Sequence, residues 1–421
     1  MMLNTMLKHR SRYALRRLWF FLAIFGPGLI TASADNDAPG IATYSMAGSA
    51  YGYRFLWLLV VVTLGEVIVQ EMAARMGAVT GKGTADLVRE RFGVRVTAFA
   101  MLCLLLSNLG TTVAEFAGIA AGAELFGLSR YVAVPLAALL VGFVVLRGGY
   151  AHVEKALLAL CLSALSYVVS AFILHPPWGE ILRQAVTPSF QSDPQYILAV
   201  LATIGTTITP WGIVYMQASV ADKGVELKDY RYTRLDVTAG ATWGNVVSAF
   251  VVICTAATLY AHGMAVETAE QAALALEPLA GAGAHYLFSA GLLGASLLAA
   301  SVLPLSTTYA VCEAFGWERG LDQRPRDAPV FYGLYAAIIA LGALVVLIPG
   351  VPLFLMMWLS QSLNAILLPM LLVLVLKLAN DQRIMGKWTN RCAQNVLVIA
   401  LTMLIGAITV ALFVLPLAAA R

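Results

Sequence analysis

Eleven apolar runs follow one another along this chain, at roughly 20–51, 55–77, 96–125, 131–147, 154–175, 195–220, 238–262, 284–314, 329–349, 352–376 and 393–417. Crossing about 30 Å of hydrocarbon takes roughly 20 apolar residues in helical form. In lipid, each backbone polar group must find its partner inside the protein, so serial runs of this length become packed helices. The expectation is an all-α polytopic membrane protein with eleven transmembrane helices. Of its 421 residues only 12% are charged, against about 25% in a soluble domain. That excludes a soluble enzyme, a disordered scaffold and a nucleic-acid-binding domain. The lipid bilayer is the expected surrounding, and no nucleic acid the expected partner. Cys103, Cys161, Cys254, Cys312 and Cys392 sit in or beside apolar segments without C-x-x-C spacing. They read as small hydrophobes.

Orientation follows from Lys and Arg in the connections. With the N-terminus inside, 22 of the 27 Lys and Arg fall in inner segments. The chain then has a cytoplasmic N-terminal segment 1–19, a transmembrane domain 20–417 and an outer C-terminus. Arg16 and Arg17 precede an apolar stretch as in a signal peptide, but no small-residue cleavage site follows, so a retained first span is expected. The Ala- and Leu-rich composition suits a bacterial inner membrane. The outer stretch 263–283 carries Glu267, Glu270 and Glu277 with no Lys or Arg, and reads as a solvated amphipathic segment.

Two spans should break. Span one contains Ser33-Ala34-Asp35-Asn36-Asp37-Ala38-Pro39-Gly40. A carboxylate at mid-membrane costs about 2.5–3.5 kcal/mol on insertion scales. Pro39 lacks an N–H and Gly40 tolerates any φ, so the helix opens here. In an unbroken helix Asp35 and Asp37 would point about 200° apart; an unwound segment turns both toward one cavity and frees carbonyls as ligands. Span six contains Gly205-Thr206-Thr207-Ile208-Thr209-Pro210-Trp211-Gly212. Spans one and six hold corresponding places in two five-helix halves, about 20–175 and 195–376, with an extra helix at 393–417. Paired discontinuous helices point to an inverted-repeat transporter with its site at the midplane.

At these residues the chain resembles the Nramp family of divalent-metal transporters. Gly26-Pro27-Gly28 opens span one, and Ala47-Gly48-Ser49-Ala50-Tyr51-Gly52-Tyr53-Arg54 closes it. Gln70, Ala73-Ala74-Arg75-Met76-Gly77, Thr80-Gly81, Thr307-Thr308-Tyr309-Ala310 and Arg383-Ile384-Met385-Gly386 also fit. The resemblance implies the LeuT-like fold, a 5+5 inverted repeat with helices 1 and 6 broken. It also exposes departures. The family's D-P-G-N is here Asp37-Ala38-Pro39-Gly40, so the Asn ligand becomes Gly40. Its M-P-H is here Thr209-Pro210-Trp211, so a thioether becomes a hydroxyl and a proton-route histidine becomes Trp211. The third-helix acidic pair becomes Thr112 and Glu115, and the eighth-helix glutamine falls on Ser301.

These changes run in one chemical direction. Thioethers favour soft transition metals; Thr209 leaves oxygen ligands, which suit Mg²⁺ with several of its waters. The pattern is most like the Nramp-related magnesium transporters, a branch carrying Mg²⁺ and Mn²⁺ without proton coupling. Asp37 is then the principal ligand, with Asp35 on the water shell or adding potential, and carbonyls near Ala34 and Thr206 and the Thr209 hydroxyl completing the site beside Gly40. No cofactor is expected; Mg²⁺ or Mn²⁺ is cargo. His9, His152, His175, His262 and His285 all fall at span ends or in loops, which fits the absence of a proton relay. Each threonine at 206, 207 and 209 has a second reading, back-bonding to its own helix.

Among pathway candidates, Glu66 either lines the inner route or accepts from a neighbouring helix. Glu71 pairs with Arg75 four residues on. Glu115 is a remnant of the proton route or a structural acceptor, and Trp211 a gate or packing. Asn245, Gln361 and Asn364 line the pathway or bond between helices. Two rival functions stay open: a proton-coupled Mn²⁺/Fe²⁺ importer using Glu115, Glu66 and Asp35, and a sodium-coupled organic-solute symporter.

Overall fold

The computed structural model describes residues 36–146, 162–225, 227–228, 230–320 and 323–419. These residues form helices and connecting turns, with no strand among them. A 3₁₀ turn at Gly52–Phe55 joins α1 (Ala38–Tyr51) to α2 (Leu56–Thr80). Next come α3 (Thr84–Leu125), α4 (Arg130–Leu146) and α5 (Leu165–Leu174). Span six is two helices, α6 (Pro194–Thr207) and α7 (Pro210–Asp222). Then follow α8 (Tyr230–Thr258), α9 (Ala284–Phe315), α10 (Pro329–Val346), α11 (Leu353–Ala379) and α12 (Cys392–Ala419). Eight stretches among the described residues are long and apolar enough to cross a membrane, α1 and α2 being two legs of one, with shorter apolar helices at Arg130–Phe143 and Leu165–Leu174. Each of the eleven expected runs therefore has a helix here. The segment 1–19 and the first part of span one, Ala34 and Asp35 included, lie outside the described residues.

Two connections are more ordered than their charge suggests. The chain between spans two and three is helical from Thr84 and bends at Gly93, whose φ of 78° only glycine adopts readily. Its basic residues act as clamps: Lys82 pairs with Glu90 at 2.6 Å, Arg89 donates to the Ala314 carbonyl at 2.8 Å, and Arg91 pairs with Asp381. Arg89 thus satisfies a carbonyl in the last turn of α9. The Arg383 backbone N–H, helped by Arg91, holds the Asp381 carboxyl below its ordinary value. The acidic stretch near 263–283 is a chain of short helices, started by a Thr268–Gln271 capping box. Ala272, Ala273, Ala275 and Leu276 are buried there, so the segment is folded onto the bundle rather than merely solvated.

Between helices the packing relies on small residues. A Cβ on Gly205 of α6 would lie 1.9 Å from the Gln361 carbonyl oxygen and 2.7 Å from the Ala365 nitrogen of α11. A Cβ on Gly118 of α3 would lie 2.3 Å from both Ala38 of α1 and Ser296 of α9. These approaches seat both broken spans against the helices around them. Polar residues bind the bundle elsewhere. Glu71 forms its pair with Arg75 at 3.5 Å and accepts from Tyr230 at 2.5 Å and Gln394 at 2.9 Å. Arg75 also donates to Asn390 at 2.5 Å. Ser107 donates to Asn364 at 2.5 Å; Asn364 donates to Thr111 and Gln361, both at 3.0 Å, tying α3 to α11.

Gly205→Ala should destabilise the bundle by about 1–3 kcal/mol or prevent folding, because backbone atoms cannot move aside. Gly142→Ala, where nothing lies within 4 Å, should melt at or above the wild-type temperature. Thermal unfolding of the purified variants in detergent checks both.

Candidate functional site

The break in each discontinuous span is built in the same way. Asp37 is extended (φ −74°, ψ 177°), precedes a helix with Pro39 in its first turn, and accepts from the Gly40 N–H at 2.7 Å. Thr209 is extended (φ −82°, ψ 134°), precedes a helix with Pro210 at its start, and accepts from the Gly212 N–H at 3.3 Å. Each side chain caps its helix three residues ahead, at a glycine. An N-cap satisfies one of the N–H groups that a helix start leaves unbonded. Here the starts are inside the protein: Asp37 is 2% exposed and Thr209 4%. Without the caps these donors would be buried unpaired.

The end of α6 supplies the opposite polarity. Ile208 leaves helical geometry (φ −109°, ψ 82°), and Pro210 has no N–H to give to the Thr206 carbonyl. The Thr206 hydroxyl is buried with no hydrogen-bond partner among the described residues. Thr207, in contrast, donates to the Thr203 carbonyl at 2.7 Å, the back-bonded alternative. The three threonines therefore differ: one uncommitted, one spent on its own helix, one a cap.

The structure brings the Glu115 carboxyl of α3 near that of Asp37, and Glu115 is fully buried. Thr112, one turn away, donates to the Asn108 carbonyl at 2.7 Å. Ser301 donates to the Leu297 carbonyl at 2.7 Å. Trp211 packs on Leu298, Ala299, Val302 and Leu303 of α9, next to Tyr215. Its indole N–H has no partner among the described residues. Glu66 belongs to different surroundings: it accepts from Gln70 at 2.7 Å and from Asn245 of α8. Asn36, Tyr44 and Ser248 join that neighbourhood, and the sequence had not singled them out. Their signal is weak, since a buried Tyr or Ser on an apolar helix is common.

Two cavities approach the break from opposite ends of the bundle. One of about 430 Å³, at the end with the basic connections, reaches Val302, Ser306 and Tyr215 beneath Trp211. The other, about 700 Å³, lies among Met46, Ser49, Tyr51, Gln195 and Glu267. Asp37, Thr206 and Thr209 line neither.

A sequence profile of the Nramp family, described as natural resistance-associated macrophage protein-like, matches residues 28–415. The divalent metal cation transporter MntH of Erwinia tasmaniensis is 30% identical over 297 residues, 68% of this chain and 71% of its own. That of Chromohalobacter salexigens is 27% identical over 392 residues, 89% and 87% of the two chains. A manganese transporter of Eremococcus coleocola superposes with a TM-score of 0.74 at 21% identity, over 93% of this chain and 86% of that one. The nucleobase-cation symporter Mhp1 superposes at 0.57 and 14% identity, over 93% and 90%. The last two likenesses establish the LeuT-like fold.

The caps carry a prediction of their own. Thr209→Ala should lose about 1 kcal/mol of stability, whereas Thr209→Ser keeps the acceptor and most of that stability. Chemical or thermal unfolding of the two variants side by side measures the difference.

Proposed function

Starting from the premise that this chain belongs to the Nramp family, a family of multi-pass membrane transporters, we propose that it imports divalent metal ions and carries hydrated Mg²⁺ as well as Mn²⁺. The observation that carries this reading is the oxygen character of the break. Thr209 stands where the family pattern has a thioether, and the two breaks add the Asp37 carboxylate, the uncommitted Thr206 hydroxyl and the Thr206 carbonyl. Among the described residues no group of three or more His, Cys, Asp and Glu converges. Such a site holds an ion that keeps part of its water shell, as Mg²⁺ does. Ala34, Asp35 and Gly40 complete the proposed ligand set, with Glu115, Ser301 and Trp211 along the route.

Transport follows by alternating access: the centre opens in turn to the 700 Å³ and the 430 Å³ cavity. We place the N-terminus and the basic connections in the cytoplasm of a bacterial cell, with the C-terminus outside. The repeats are then about 20–175 and 195–376, followed by the extra helix 393–417. An inside-negative potential supplies about 2.3 kcal/mol per charge per 100 mV, and a divalent ion feels twice that. Import therefore needs no proton.

One observation favours a second reading. The Asp37–Glu115 contact places two carboxyls where a bound proton and a bound cation exclude each other, as proton-coupled Mn²⁺ or Fe²⁺ import requires. Flux into proteoliposomes under an inside-negative potential separates the two, with indicators for Mg²⁺ and Mn²⁺ and a pH dye. Uptake of both ions without internal acidification, abolished by Asp37→Ala, is the expected result. Mn²⁺ uptake with acidification and no Mg²⁺ flux would overturn it. Thr209→Met, which restores a soft donor, should raise Mn²⁺ and Cd²⁺ uptake over Mg²⁺ by about tenfold, roughly 1.4 kcal/mol of discrimination.

A further inference from the structure

Between α5 and α6 lies a short helix, Trp178–Val186, exposed along most of its length. Its side chains divide into three sectors at about 100° per residue. Ile181 marks the first: it is 4% exposed, has the half-buried Ala185 beside it, and faces the bundle. Leu182 and Val186 form the second, about 100–140° round from Ile181. They stand 68% and 76% exposed. Arg183, Glu180 and Gln184 share the third, about 200–300° round. The apolar arc is therefore continuous but wider than the bundle covers. A helix with protein on one side, hydrocarbon below and water above has this three-way division.

The rings around the helix continue a lipid-facing surface. Trp178 lies 5.4 Å from Phe172 of α5, centroid to centroid, and Phe190 lies 4.9 Å from Trp57 of α2. Phe172 and Phe190 are exposed, as are Ile173 on α5 and Val60 and Leu64 on α2. Both α2 and α5 are apolar helices of the bundle, so their outward faces meet lipid. That surface runs without a polar break to Leu182 and Val186.

The same segment holds both broken spans. Ser189 donates to the Arg54 carbonyl at 3.0 Å, and the helix packs on the Gly52–Phe55 turn and on α2. Tyr196 of α6 donates to the Ser189 carbonyl. Its ring meets Tyr51 and Phe55 edge-on, at centroid distances of 5.1 and 5.4 Å. The end of α1 and the start of α6 are thus tied to one strap, residues 178–196.

We propose that Trp178–Val186 lies flat in the membrane interface, with Leu182 and Val186 at the boundary of headgroups and acyl chains, and that lipid contact there braces the ends of α1 and α6. Glu180 and Arg183 cancel in charge, so the partner is the apolar boundary of the bilayer rather than an anionic headgroup. Trp178 and Trp57 suit that depth, where aromatic rings with one polar edge collect. Lipid at this face then bears on the two spans that carry Asp37 and Thr209.

Spin labels test the depth. Leu182→Cys, Val186→Cys and Arg183→Cys are made singly in a chain whose five native cysteines are replaced by alanine, labelled, and placed in phosphatidylcholine nanodiscs. A melting curve confirms that each is folded. Oxygen concentrates in hydrocarbon and a nickel chelate in water. The oxygen-to-nickel collision ratio should be at least about fivefold higher at 182 and 186 than at 183, at depths of about 5–10 Å. Equal ratios at 182 and 183 would mark a solvated helix and overturn the proposal. Labels at 182 and 186 shielded from both probes would overturn it too, because a second protein copy would then cover them. Hydrogen–deuterium exchange in nanodiscs tests the bracing and keeps the native cysteines. The double variant Leu182→Asp, Val186→Asp should speed exchange at least about fivefold at Gly52–Phe55 and in the first turn of α6, and leave the α3–α11 contact at Asn364 unchanged. Ser189→Ala should speed it at the turn alone. Unchanged exchange at both places in the double variant would overturn the bracing.

Discussion

Two side-chain caps carry the interrupted helices through the protein interior. A helix that stops and restarts away from water leaves N–H groups at one end and carbonyls at the other, and each unsatisfied group is costly there. Asp37 bonding Gly40 and Thr209 bonding Gly212 settle the restart in both spans. The caps occupy equivalent places, which is the local trace of the inverted repeat. Everything nearby is arranged so that these starts can be deep. Gly118 lets α1 come against α3 and α9, and Gly205 lets α6 come against α11.

The fold was legible because bilayer crossing imposes length and apolarity on every helix, so each span announced itself. Both breaks were legible as well, since Pro39 and Pro210 each remove a donor that a continuous helix needs. The hydrogen-bonding role of each threonine was not. Thr206, Thr207 and Thr209 look interchangeable in sequence, and only backbone geometry separates an uncommitted hydroxyl, a back-bonded one and a cap. The segment from Thr84 to Phe92 looked like a charged loop because its contacts, Arg89 with Ala314 and Arg91 with Asp381, span more than two hundred residues. Glu66 was legible as a buried carboxylate, but its partner Asn245 lies 179 residues away, so its neighbourhood could not be read locally.

The polarity of the breaks bears on what kind of ion the centre suits. Starts of α1 and α7 present the positive ends of their helix dipoles, worth about half a charge each, while the end of α6 presents a negative one. Part of the Asp37 carboxylate is therefore committed: one oxygen accepts from Gly40 and offsets the dipole of α1. What Asp37 offers a cation is less than a full free carboxylate, beside the neutral oxygens of Thr206 and Thr209. In the proposed reading the ion therefore keeps part of its water shell. Thr209 in place of a thioether supports the same proposal, since soft metals favour sulfur donors. Position 209 thus does two jobs at once, capping the start of α7 and setting the oxygen character on which the proposed cargo rests.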